Sequence, residues 1–326
     1  MITVTLYTKK DCSPCEKALR DLKALQAKIP HNLATVDIES DPDLKKAYAA
    51  RVPVLQTGPY TLAAPFDRKK VEATLAAARD RQEQKGKNAR PEKAGGSEFG
   101  DRFGRWLGRS YLGLLNLILF VYVGLPFLAP TLMKAGYPDL ARPIYSMYGA
   151  VCHQLAFRSW FLFGEQPIYP RASAGLEGYE TLQQATGIEE SDPASLLQAR
   201  DFIGNEQLGY KVAYCQRDIA IYGAMLIFGL LYVATGRRIP GLHWTLWILI
   251  GIAPIAIDGF SQLLSQFQGF NLWEYRESTP LLRTLTGALF GVTTAWFGFP
   301  LLEESMAETR VALAAKSARR KARSID

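Results

Sequence analysis

Hydrophobic and polar positions are distributed unevenly along the chain. Four apolar runs of about twenty residues, nearly free of charge, stand apart between residues 111 and 302: "YLGLLNLILFVYVGLPFLAPTLM" (111–133), "IAIYGAMLIFGLLYVAT" (219–235), "LHWTLWILIGIAPIAIDGF" (242–260) and "LLRTLTGALFGVTTAWFGFPLL" (281–302). Each approaches the length a helix needs to cross a hydrocarbon core roughly 30 Å thick, so an all-α bundle of four spans is expected. Residues 1–82 follow another pattern. "ITVTLYT" alternates in the manner of a strand, and "CSPCEKALRDLKALQAKI" sets Ala18, Leu19, Leu22 and Leu25 at helical spacing. "ATVDIE" predicts a second strand and "DPDLKKAYAA" a helix capped at or near Asp41. "RVPVLQTG" and "YTLAAPFD" predict two short strands, and a helix from about Arg68 to Asp80 closes the set. The order βαβαββα is that of a small α/β domain.

Charge sharpens the domain plan. The formal net charge of +7 is concentrated in two places. Residues 83–110 carry Lys85, Lys87, Arg90, Lys93, Arg102, Arg105 and Arg109 in a polar stretch with Gly-Gly and a proline. This stretch lacks hydrophobic periodicity and reads as a flexible basic linker. Residues 303–326 form a basic tail. No recognition motif accompanies these basic runs, so nucleic acid is not expected and membrane lipid is the implied partner. Arg102, Arg105 and Arg109, then Arg237 and Arg238, then the tail fall on one side of a four-span arrangement. That bias puts both termini in the cytosol of a multi-pass protein of the cell (inner or plasma) membrane, with loops 134–218 and 261–280 outside. "MITVTLYT" lacks the features of a signal peptide, which agrees with a cytosolic head. The stretch "PIYSMYGAVCHQLAFRSWFLFG" (143–164) is apolar but interrupted by His153, Gln154 and Arg158, and reads as an interfacial or partly re-entrant helix.

The first candidate chemistry is Cys12-Ser-Pro-Cys15 at a strand-to-helix junction. Unpaired N–H groups and the helix dipole there stabilise a thiolate, which lowers the pKa expected for Cys12, and Lys9 and Lys10 add positive potential. Cys15, one turn on, is placed to attack a mixed disulfide. A zinc site at this pair has only two ligands, and His31 reads as a loop residue without a path to them. The run "LYTKKDCSPCEKALRDL…ATVDIESDPDLKKAYAARVPVL" resembles the glutaredoxin-like family of small thioredoxin-fold proteins over residues 2–80. The resemblance implies Cys12 as nucleophile, Cys15 as resolving thiol and Pro53 as a cis-proline facing the pair, since a cis bond is essentially a proline feature. "TLAAPFD" lacks the Gly-Gly that glutathione-using members carry before the last helix, so glutathione is not implied as the reductant.

A second constellation falls on the outer ends of the spans. Cys152, His153, Gln154 and Arg158 lie in the first outer loop, and Cys215, Arg217 and Asp218 at the start of the second span. Asp258 and Gln262, four apart, share a helix face, while Glu277 precedes the fourth span and Arg283, Thr286 and Gly287 open it. An ionisable group at the edge of a bilayer is costly unless paired or functional, and Arg217 or Arg283 opposite Asp258 is an economical pairing. Three readings stay open: a structural disulfide Cys152–Cys215, favoured by an oxidising exterior; a zinc site from Cys152, His153 and Cys215 with Asp258 as fourth ligand; or a pocket in which Arg158, Arg217 and Arg283 bind an anionic group such as a lipid phosphate. The pieces "CHQLAFRSWFLFG", "CQRDIAIYGAM", "PIAIDGFSQ" and "RTLTGALFG" resemble a family of predicted prokaryotic membrane proteins of unknown function over about 145–291. That resemblance implies a four-span bundle and brings no activity. Relatives often have a cysteine near Asp218, so a site of several thiolates is not implied here. Residues 166–211 read as an added outer subdomain. Gly287 and Gly291 form a Gly-x-x-x-Gly suited to close packing of two spans within the chain.

Together these features predict a membrane-tethered thiol–disulfide oxidoreductase acting on a thiol or disulfide partner protein. The alternative is a membrane binding or transport protein whose head is a redox sensor or docking module.

Overall fold

The computed structural model describes residues 2–87, 98–190, 195–265 and 275–323. The chain divides into two compact units, Met1–Ser110 with Glu304–Asp326, and Tyr111–Glu303.

The first unit is built on β1 (Ile2–Thr8), α1 (Ser13–Leu25), β2 (His31–Asp37), α2 (Pro42–Tyr48), β3 (Val54–Thr57), β4 (Tyr60–Ala63) and α3 (Arg68–Lys87). The predicted order βαβαββα is realised, as a mixed sheet in the order β2-β1-β3-β4 with β1 parallel to β2 and antiparallel to β3. His31 opens β2 instead of lying in a loop, and its Nδ1 bonds to Ile29 O at 2.7 Å. Strand alternation divides the core in two. Leu6 and Leu55 face α1 and α3, packing with Leu22, Leu25 and Leu75. Tyr7, Val36 and Val54 point the other way, toward Leu44 of α2.

The helix α2 has only seven residues, and a second helix lies on the same sheet face. Ala314 and Ala315 are buried in that cluster, with Val311 and Ala318 packed alongside. These four residues belong to the long final helix Pro280–Arg323, so the expected basic tail is helical through Arg323 and packs into the head over 311–318. Val311, Ala314, Ala315 and Ala318 stand at i, i+3, i+4 and i+7, which makes one apolar stripe. The expected linker changes in the same way: α3 extends to Lys87 and a helix restarts at Glu98, while residues 88–97 lie outside the described residues. Residues 98–110 run against the final helix. Arg310 Nη1 donates to Gly108 O at 2.8 Å, and Asp101 pairs with Lys316 (2.7 Å) and Arg320 (2.9 Å). A Cβ at Gly108 would come within 3.1 Å of Arg310 Cγ, so glycine permits this approach.

The second unit holds the spans. In chain order its elements are α4 (Glu98–Lys134, entering the unit at Tyr111), α5 (Pro138–Gly149), β5 (Ser159–Leu162), α6 (Leu182–Thr186), α7 (Ser195–Asp201), β6 (Gly204–Asn205), β7 (Gly209–Cys215), α8 (Gln216–Ala234), α9 (Trp244–Ser265) and α10 (Pro280–Arg323). Among the described residues four helices, α4, α8, α9 and α10, are long and apolar enough to cross a membrane. Leu117, Ile118 and Phe120, Ile227 and Leu230, Leu249 and Ile257, and Leu281 and Leu285 stay exposed on them, the surface a bilayer covers. Gly287 and Gly291 of α10 pack on α8. A Cβ at Gly291 would overlap the Ile221 backbone, so the Gly-x-x-x-Gly joins two spans within the chain.

The segment 143–164 is neither a span nor a single re-entrant helix. The helix α5 ends at Gly149, Gln154 takes a φ of 52°, and the chain then makes a short 3-10 turn and β5. Twelve helical residues cannot cross a bilayer. Beyond α5 the loop forms a three-stranded sheet, β5-β7-β6, over a core of Phe157, Phe161, Tyr169, Leu182 and Leu208.

Candidate functional site

The head dithiol sits where β1 hands over to α1. Cys12 is the N-cap residue of α1, with Pro14 in the first turn, and its Sγ accepts from Cys15 N at 3.3 Å. Cys12 and Cys15 are joined as a disulfide and both are buried. The Val52–Pro53 peptide bond is cis. Tyr7 near the end of β1 pairs with Val54 at the start of β3. The loop carrying Cys12 and the loop carrying Pro53 therefore leave the same end of the sheet on neighbouring strands.

In the membrane unit, two buried carboxylates organise the polar residues at one end of the spans. Asp258 accepts from Arg217, from Arg276 Nη2 at 2.9 Å and from Ser278 Oγ at 2.8 Å. Glu277 accepts a two-pronged bond from Arg158 (2.8 and 3.1 Å), one from Arg283, and one from Gln262 Nε2 at 3.0 Å. The expected Arg217–Asp258 pairing is present, whereas Arg283 takes Glu277. Four guanidiniums thus face two carboxylates. Arg158, Arg217 and Arg283 are all engaged by carboxylates of the chain itself, so they do not form a bare anion pocket. Arg276 and Ser278 were not evident from the sequence, because only the fold brings residues after α9 back onto Asp258.

Gln154 is a buried structural tie: Nε2 donates to Tyr145 O and Ala213 O, both at 2.8 Å. Lys211, fully buried, donates to Gln154 O (2.8 Å) and Arg200 O, and burial pushes its ammonium down to about 7. His153 is exposed.

Cys152 and Cys215 are free thiols packed in one cluster with Tyr145, Tyr148 and Tyr214. Cys152 follows α5, its N–H bonded to Tyr148 O at 2.9 Å, and Cys215 caps α8. Cys215 Sγ lies 3.0 Å from Asp218 Oδ2, and the two sulfurs and this carboxylate all fall within 4.8 Å of one another. A hydrogen bond from Cys215 holds the Cys152 thiol below its ordinary range. The Cys215 proton, contested by the Cys152 sulfur and the Asp218 carboxylate in a buried setting, is held well above its own. Among the described residues this trio is the group of metal-ligating side chains that converges. The structure brings in Asp218 where the sequence suggested His153 and Asp258.

The mixed α/β head and the four apolar helices define a membrane-associated thioredoxin-like protein. Residues 3–76 match the model of a glutaredoxin-like domain (DUF836), and residues 204–297 match that of a predicted membrane protein (DUF2085). The second match takes in Cys215, Arg217, Asp218, Asp258, Gln262 and Arg283, whereas the stretch Cys152–Arg158 precedes it. An uncharacterized protein of Methanocaldococcus jannaschii is similar to the chain, 24% identical over 203 residues that make up 60% of this chain and 93% of the relative. No solved structure matches.

Proposed function

We propose that the protein is a membrane-anchored thiol–disulfide oxidoreductase whose head faces the cytosol of a cell membrane. The observation that carries this reading is the Cys12–Cys15 pair at the start of α1, beside the loop of the cis Val52–Pro53 bond. In the reduced state the Cys12 thiolate attacks a partner disulfide, forming a mixed disulfide and releasing one partner thiolate. The Cys15 thiolate then attacks Cys12 Sγ, releases the second partner thiolate and leaves the Cys12–Cys15 disulfide. Two electrons pass to the partner, and a dithiol reductant must return them.

The test uses the full chain in detergent with a protein disulfide as substrate. Cys12→Ser is expected to lower turnover by roughly 10³-fold or more, because loss of the covalent nucleophile removes the pathway. Cys15→Ser is expected to accumulate the mixed disulfide on Cys12. Undiminished turnover in Cys12→Ser would overturn the assignment of roles.

The orientation rests on the basic residues flanking the spans and on head and tail belonging to one unit. A reporter that folds only in the cytosol should be active when fused after Asp326. Activity there of a reporter that works only outside would reverse the topology.

A further inference from the structure

We propose that Cys152, Cys215 and Asp218 form a binding site for a divalent transition-metal ion of zinc's class, with three protein ligands and one open position. The donors come from two places that the fold clamps together. Cys215 ends β7 and Asp218 lies three residues on, in the first turn of α8, so strand end and helix start present both on one side. The pairing is direct, with 3.0 Å between Cys215 Sγ and Asp218 Oδ2. Cys152 arrives from the turn after α5, and that turn is fixed by the Gln154 bonds to Tyr145 O and Ala213 O. Its sulfur completes a group whose ligand atoms all lie within 4.8 Å of one another.

Those separations suit the ion's own geometry. Metal–sulfur bonds of about 2.3 Å and metal–oxygen bonds of about 2.0–2.2 Å in a tetrahedron place neighbouring ligand atoms roughly 3.5–3.8 Å apart. The trio, at 3.0 Å for Cys215 Sγ–Asp218 Oδ2 and within 4.8 Å throughout, brackets that spacing. Two thiolates and one carboxylate select a borderline-soft cation over magnesium or calcium, which take oxygen donors. With a doubly charged ion the site carries one net negative charge. The neighbouring network, four guanidiniums against two carboxylates and including Arg217 two residues from Cys215, supplies the compensating field. Three protein ligands leave a fourth tetrahedral position for water or a small ligand, the arrangement of sites that act on something rather than only hold the fold.

The experiment takes the full-length chain in detergent, reduced and kept anaerobic, in a Cys12→Ser/Cys15→Ser background that removes the competing thiols. Cobalt(II) is titrated, then displaced by zinc. One cobalt per chain is expected, with the intense visible bands of tetrahedral coordination and sulfur-to-metal charge transfer. Cys152→Ser, which leaves one thiolate, should cut the charge-transfer signal at least two-fold and weaken binding. Asp218→Asn, which keeps both thiols, should weaken affinity by at least the roughly 10–100-fold typical of losing even an outer-shell partner. If Cys152→Ser does not purify, the Asp218→Asn titration decides. Substoichiometric or octahedral cobalt, affinity unchanged in Asp218→Asn, or recovery of Cys152 and Cys215 as a mutual disulfide that resists mild reduction would each overturn the site.

Discussion

Glu277→Gln is expected to destabilise the membrane unit by about 3–5 kcal/mol, the cost of leaving a buried charge without its partner. Glu277 is 3% exposed and receives Arg158, Arg283 and Gln262. The two arginines are not equivalent. The Arg158 side chain is 29% exposed and can turn to water when the carboxylate is lost, but that of Arg283 is 3% exposed. Its remaining acceptor is the Phe157 carbonyl, at 3.5 Å, a weak bond. Most of the cost therefore comes from Arg283, and Arg158→Met should be the mildest change of the set. Glu277→Leu combined with Arg283→Met removes both charges and should recover much of the loss, an interaction a double-mutant cycle reads directly. The measurement is thermal unfolding of the detergent-solubilised chain, followed by reaction of buried Cys152 with a thiol dye. Melting of Glu277→Gln within about 1 kcal/mol of the parent would show that the arginines find other partners, and the network would lose its structural role.

How much of this was legible in the sequence depends on whether the signal was local. The head was legible because alternation, helical spacing and Cys-x-x-Cys all lie within single elements, and Val52–Pro53 is a cis bond where the resemblance put it. The spans were legible because charge-free length is a local property. Four things were not. The strand "GYKVAYC" runs without a break into α8, so β7 disappeared into the flank of a span. Asp218 looked like a departure from a thiolate site, and only the approach of Cys152 makes it a ligand. The tail carried its apolar stripe openly, at Val311, Ala314, Ala315 and Ala318, but its arginines and lysines dominated the composition. A basic amphipathic helix and a solvated basic tail differ in periodicity rather than charge. In the linker, the Gly-Gly and the proline that suggested flexibility fall outside the described residues, and beyond them Gly104 and Gly108 admit Leu313 and Arg310.

The tail makes the second large prediction: Ala315→Asp should destabilise the head by about 2 kcal/mol or more. Ala315 is 4% exposed among Tyr7, Val36, Leu44 and Val54. A carboxylate there is set against this apolar cluster and loses its hydration on that side, so desolvation carries the cost. The contrast is Asp43 of α2, which pairs with Arg109 of α4 at 3.5 Å and Arg310 of α10 at 3.4 Å. Its side chain keeps 21% exposure, and solvent screening limits Asp43→Asn to about 0–1 kcal/mol. If the final helix were held to the head mainly by charge, the order of these two variants would reverse, and high salt would weaken the parent as much as Ala315→Asp does. Thermal melting of the full chain, together with binding of a hydrophobic dye to the uncovered sheet face, separates the two cases. A parent-like melt for Ala315→Asp would mean that the head folds without its last helix. In that case residues 1–87 could be studied alone. If Ala315→Asp melts early, a redox assay on those residues alone would report on a head with one face of its sheet exposed.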